Sequence, residues 1–134
     1  MKNIAWVLLL AASWAIAQKT PENDTAVLVL KGLDPVLLVE GKERPGREDL
    51  SSDFEGFRYR FANARNQKAF LADPQRFGVQ LGGACPVRPD LDGKPEIFLV
   101  HQGRIYLFFT EHCRQQFEED PQGYLDKLPQ QKKP

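Results

Sequence analysis

The chain has 134 residues, with 18 Lys and Arg against 18 Asp and Glu, so its formal charge is zero. Its basic residues are scattered among acids, which removes the electrostatic case for a nucleic-acid partner or an acidic membrane surface. The length suits one domain with a real core, and only two cysteines are present.

In chain order, the first expected element is an export signal over residues 1–17. Met1-Lys2-Asn3 precedes an apolar run from Ile4 to Leu10, which continues through Ala11, Ala12, Trp14 and Ile16. Ala15-Ile16-Ala17 then supplies small residues at the positions that a signal peptidase reads. The run falls short of the roughly 20 apolar residues of a spanning helix. The protein is therefore expected to be exported, periplasmic or secreted, with no stable membrane span after cleavage; a retained anchor is the alternative.

Residues 18–29 read as a polar leader and a first strand, with Thr25 to Leu30 β-branched and apolar. The domain itself is expected over residues 30–128, followed by a loose tail at 129–134. Gly32-Leu33-Asp34-Pro35 is turn chemistry, followed by a second apolar run from Val36 to Val39. Gly41 to Ser52 is charged and carries Gly41, Pro45 and Gly46, which predicts an exposed loop. Phe54 to Phe61 alternates aromatic and polar residues around Gly56, the pattern of a tight hairpin or a bulged strand. Asn63 can cap a helix from Ala64 to Leu71, and Asp73-Pro74 starts another through Arg76 or Phe77.

The second half repeats the first. With a shift of 47 positions, Gly56 falls on Gly103, Tyr59 on Tyr106, Phe61 on Phe108, Phe70 on Phe117 and Asp73-Pro74 on Asp120-Pro121. The pattern accordingly predicts strands at Ile97–Val100 and Arg104–Phe109, joined across Gln102-Gly103. Thr110 would cap a helix from Glu111 to Glu119, and Asp120-Pro121 would begin one reaching about Leu128. Upstream, Asp34-Pro35-Val36 matches Cys85-Pro86-Val87 after a connection four residues shorter in the second copy. The repeats span about 34–77 and 85–124. Each is too small to bury a core alone. The expected fold class is α+β, two β-hairpin-plus-helix units packed on their aromatic faces as one small domain.

Both cysteines fall in the second copy, where Cys85 faces Asp34 and Cys113 faces Asn66. Cys113 would be the third residue of its helix, where free backbone amides favour a thiolate. Cys85 follows Gly82-Gly83 and is stiffened by Pro86. A Cys85–Cys113 disulfide suits an oxidising compartment and would close a loop of about 29 residues, worth roughly 3–4 kcal/mol. A metal site and free thiols are the alternatives. His112 is a candidate accessory ligand; His101, at the far end of its strand, is a weaker one. The chain has no Gly-rich phosphate loop, no Gly-x-Ser-x-Gly and no His-Glu-x2-His, and adjacent helical residues such as His112 and Cys113 point apart. No catalytic residue is expected, and the protein is read as a non-enzyme.

The order Cys-Pro-Val, strand, turn, Tyr-x-Phe, helix-start cysteine, x3, Phe, x2, Asp-Pro, x2, Tyr resembles the YHS domain, in the wider TRASH-like metal-binding group. The strongest pieces are Gly103 to Phe108 and Phe117 to Tyr124, and the likeness runs from about Leu30 to Leu128. The resemblance implies a domain that binds heavy-metal ions, alone or within copper transporters and monooxygenase subunits. It implies Cys85 and Cys113 as ligands, with a copper or zinc ion as the cofactor. Relatives commonly place a second cysteine where this chain has Arg88, and no Tyr-His-Ser triplet occurs. The expected function is non-enzymatic soft-metal binding; the alternative is a disulfide-stapled structural or interaction module.

Overall fold

The computed structural model describes residues 25–129. The export signal expected over 1–17, most of the polar leader and nearly all of the tail lie outside these residues. Local chemistry accounts for most of the elements within them. Glu55-Gly56 and Gln102-Gly103 turn the chain with positive φ at all four residues. They create antiparallel hairpins of β2 (Arg47–Phe54) with β3 (Phe57–Phe61), and of β4 (Lys94–His101) with β5 (Arg104–Phe108). Positive φ at both central positions matches the right-handed twist of the flanking strands.

Each hairpin runs into a capped helix. Asn63 Oδ1 accepts the Asn66 N–H at 2.8 Å to start α2 (Ala64–Ala72), and Thr110 Oγ1 accepts the Cys113 N–H at 3.0 Å to start α4 (Glu111–Glu119). Asp73 and Asp120 then cap α3 (Pro74–Phe77) and α5 (Pro121–Asp126), each with proline at the first position. Proline is tolerated there because that N–H has no intrahelical partner.

The duplication extends to hydrogen bonds that the residue pattern alone does not specify. Leu30, Lys31 and Gly32 have φ of 62, 55 and 78°, and Leu81, Gly82 and Gly83 have 61, 61 and 89°. Asp34 N–H donates to Arg44 O at 2.9 Å, as Cys85 N–H donates to Leu91 O at 3.0 Å. Gly46 N–H reaches Gly32 O, as Gly93 N–H reaches Gly83 O, both at 2.8 Å. The register slips between Arg47 and Ser51 in one hairpin and between Lys94 and Phe98 in the other. β1 (Val27–Leu28) lies parallel to β3, and its counterpart is a single parallel bridge from Val79 to Ile105.

Several local expectations change; β4, for one, begins at Lys94 rather than Ile97. The stretch read as a loop from Gly41 to Ser52 becomes strand from Arg47 onward, because a bulged edge strand exposes charged side chains much as a loop does. The strand expected from Thr25 to Leu30 is confined to Val27–Leu28, since Leu30 adopts a left-handed φ of 62°. The last helix stops at Asp126 rather than Leu128.

The fold is α+β, two repeated units in one domain, but the aromatic faces do not meet as expected. Each aromatic set packs on its own helix. Phe70 lies 4.7 Å from Tyr59 and 5.2 Å from Phe61 between ring centroids; Phe117 lies 5.5 Å from Tyr106 and 5.2 Å from Phe108. Successive strand residues point to opposite faces. Ile105 and Leu107 therefore leave the second unit and enter the first unit's core beside Tyr59, Phe61, Val79 and Phe70. That aliphatic face of β5 joins the units. Burying a side chain such as Phe117 contributes about 2–3 kcal/mol, so each ring set is a substantial part of its unit's stability.

Candidate functional site

The cap at Thr110 places Cys113 on the third residue of α4, one turn before Phe117 and on the same inward face. Its own N–H is already taken by the Thr110 hydroxyl. The expectation of free amides around this sulfur is therefore met only in part. Cys85 leaves the turn at Gln80–Gly83, is held by its N–H to Leu91 O, and precedes a fully buried Pro86.

The fold brings both cysteines into one buried cluster with Tyr106, Phe108 and Phe117, at 0% exposure for Cys85 and 7% for Cys113. Both are free thiols, so the disulfide weighed from sequence is not formed in this structure. Burial also pushes the Tyr106 phenol above its ordinary value, against the lowering effect of Arg104. The cluster thus borders a neutral hydroxyl rather than a phenolate.

His112 is exposed, turned away from the sulfurs as adjacent helical positions require. Among the described residues no group of three or more His, Cys, Asp and Glu side chains gathers to hold an ion. The set Cys85, Cys113 and His112 is therefore not assembled; the cysteine pair is what the fold brings together. His101 takes the place of Phe54. It stands edge-on to Phe117 at 5.8 Å and 89°, as Phe54 stands edge-on to Phe70 at 6.2 Å and 84°.

The first unit reveals what these two positions do in this fold. Asp34 is fully buried and accepts from four donors. Oδ1 takes Val36 N–H at 2.8 Å and Leu37 N–H at 3.3 Å, and Oδ2 takes Ala62 N–H and Asn66 Nδ2–H, both at 2.8 Å. One side chain thus caps α1 (Pro35–Leu38) and ties it to the end of β3 and to α2. The sequence alignment sets Asp34 opposite Cys85 and Asn66 opposite Cys113, but the residue pattern does not show that the first pair touches. Their contact was the missed signal.

Replacing that pair with cysteines changes reach as well as chemistry. Asp and Asn carry polar atoms two bonds beyond Cβ, whereas cysteine carries sulfur one bond beyond it. A disulfide needs sulfurs at about 2.05 Å, and no such bond joins Cys85 and Cys113 in this structure. Two surface hollows, of about 560 and 280 Å³, are lined by residues such as Glu55 and Gln80, and Phe98 and Arg114; neither is lined by a cysteine. The thiols are buried among packed side chains.

No protein-family model, no curated protein and no solved structure matches this chain. Among the described residues no helix is long and apolar enough to cross a membrane.

Proposed function

We propose that this protein is an exported, YHS-like domain that binds a soft metal ion, copper(I), through Cys85 and Cys113, without turnover. One observation carries the reading. The positions that meet as carboxylate and amide in the first unit are both sulfur in the second, inside a shared apolar cluster.

The donor set supports copper(I) over zinc. Two soft thiolates suffice for copper(I), whereas a structural zinc site takes four ligands. The described residues supply no third or fourth donor beside the pair. When bound, the ion would supply a link between two sulfurs. The chain's own contribution is to hold the sulfurs on a stiff loop and a helix start, and to keep water away with Tyr106, Phe108 and Phe117.

Titration with copper(I) against a colorimetric chelator tests this. One equivalent per chain is expected for the native protein, and none for Cys85→Ser, Cys113→Ser or the double variant. Unchanged stoichiometry in the double variant rejects the proposal. The shared cluster also supports the second reading, a structural staple. Counting thiols in denaturant separates them: two before reduction support the ion site, and none before but two after support the staple.

A further inference from the structure

Among the described residues, the cap that Asp34 provides in the first unit has no hydrogen-bonded equivalent in the second. Asp34 ties α1, the end of β3 and α2 together through four hydrogen bonds. At the matching positions, Cys85 replaces the carboxylate, Val87 and Arg88 replace the two capped residues, Phe109 replaces Ala62 and Cys113 replaces Asn66. Among the described residues no hydrogen bond joins 85–88 to 109–113. The consequence is visible in the backbone. Pro35–Leu38 is helical, whereas 86–89 forms only bends and a turn. A thiol is a poor acceptor for helix-start amides, and Pro89 cannot donate to a continuing helix.

We infer that the second unit holds an open form of the clamp that is permanently closed in the first, and that ion capture by Cys85 and Cys113 closes it. This rests on the copper(I) reading above and adds what binding does to the chain. Besides the apolar packing of Cys85 and Val87 against the α4 residues, the 85–93 loop is held by Cys85 N–H to Leu91 O and Leu91 N–H to Arg88 O inside it and by Gly93 N–H to Gly83 O. Those bonds hold the loop to itself and to the preceding turn, not to α4. A link between sulfurs on loop and helix supplies the missing tie, much as metal binding couples to folding elsewhere. Unit one needs no ion because its clamp is made of oxygen, nitrogen and backbone amides. The duplicated fold thus pairs a fixed copy with a ligand-responsive one.

Amide hydrogen exchange on the full chain, with and without one equivalent of chelator-buffered copper(I), tests the inference, with binding stoichiometry measured on the same samples. Copper(I) is expected to slow exchange at least tenfold at Val87, Arg88, Leu91 and Phe109, and to leave Val36, Leu37 and Ala62 unchanged. The double variant Cys85→Asp with Cys113→Asn transplants the first unit's clamp; it is expected to slow the same second-unit amides with no metal added. Binding without slower exchange overturns the clamp and leaves the copper(I) site standing. No binding in the native chain overturns both. Fast exchange in the transplanted variant, in a chain whose first-unit amides remain protected, also overturns the clamp.

Discussion

Asn66 donates its side-chain amide to the buried carboxylate of Asp34 at 2.8 Å, across 32 positions of sequence. Ala62 N–H converges on the same oxygen, so this carboxylate joins elements that meet only in the folded state. Asp34→Ala would leave several buried donors without an acceptor, and a loss of about 3–5 kcal/mol is expected in urea denaturation. Asn66→Ala, which removes one donor, should cost about 1–2 kcal/mol. The double variant should lose less than the sum of the singles, because the shared contact is removed once. Additive losses would show that the pair does not act as one unit.

Tyr59 gives the fold an alkaline limit. Its hydroxyl accepts the Val79 N–H at 2.9 Å, and burial pushes its pKa from 10.0 to about 12 against the lowering effect of that bond. Below pH 10 both folded and unfolded chains keep the proton, and the contribution is complete. Between about pH 10 and 12 the unfolded chain ionises first, so stability falls by up to about 3 kcal/mol. Tyr106 is raised for the same main reason and adds to the slope. Tyr59→Phe should cost about 1 kcal/mol at neutral pH and flatten the decline, read from melting temperatures across pH 8–11. An unaltered slope would remove Tyr59 from this account.

Gly83 should resist substitution where Gly103 tolerates it. A methyl group on Gly83 would stand 2.6 Å from the Phe57 ring, at a φ of +89°. Gly103 has a φ of +70° and open space around it. Gly83→Ala is expected to cost about 2–4 kcal/mol, combining backbone strain with overpacking, and Gly103→Ala about 1 kcal/mol. Equal costs in chemical denaturation would mean that the Phe57 contact relaxes freely.

His101 occupies a phenylalanine position and pays for it with a stranded ring nitrogen. Its Nε2 is buried without a hydrogen-bond partner, while its ring keeps the edge-on stacking against Phe117. His101→Phe should therefore raise stability by about 1 kcal/mol in thermal denaturation. Copper(I) stoichiometry should not change, since this imidazole is not grouped with the thiols. A lost equivalent of ion would restore His101 as a ligand.

The parts of the fold that were legible in sequence are those fixed by neighbours along the chain. Thr110 and Asn63 announced their helices because a cap needs an acceptor three residues from an amide, and Glu55-Gly56 and Gln102-Gly103 announced their hairpins through turn geometry. The 47-residue repeat also gave the right partner for each core ring. The charged run at Arg47–Ser52 reads as loop yet folds as strand, because edge strands and loops expose the same residue types.

By itself, then, the amino-acid order determined the duplicated α+β plan, its caps and turns, and the placement of both sulfurs in one copy. Only the tertiary structure decided that Ile105 and Leu107, rather than the aromatic faces, join the units, because strand alternation marks two faces without saying what covers each. It likewise decided that positions 34 and 66 touch, that the cysteines share one buried cluster, and that His112 stays outside it. Those relationships depend on how separate elements approach one another in space, a packing outcome that local residue preferences do not contain.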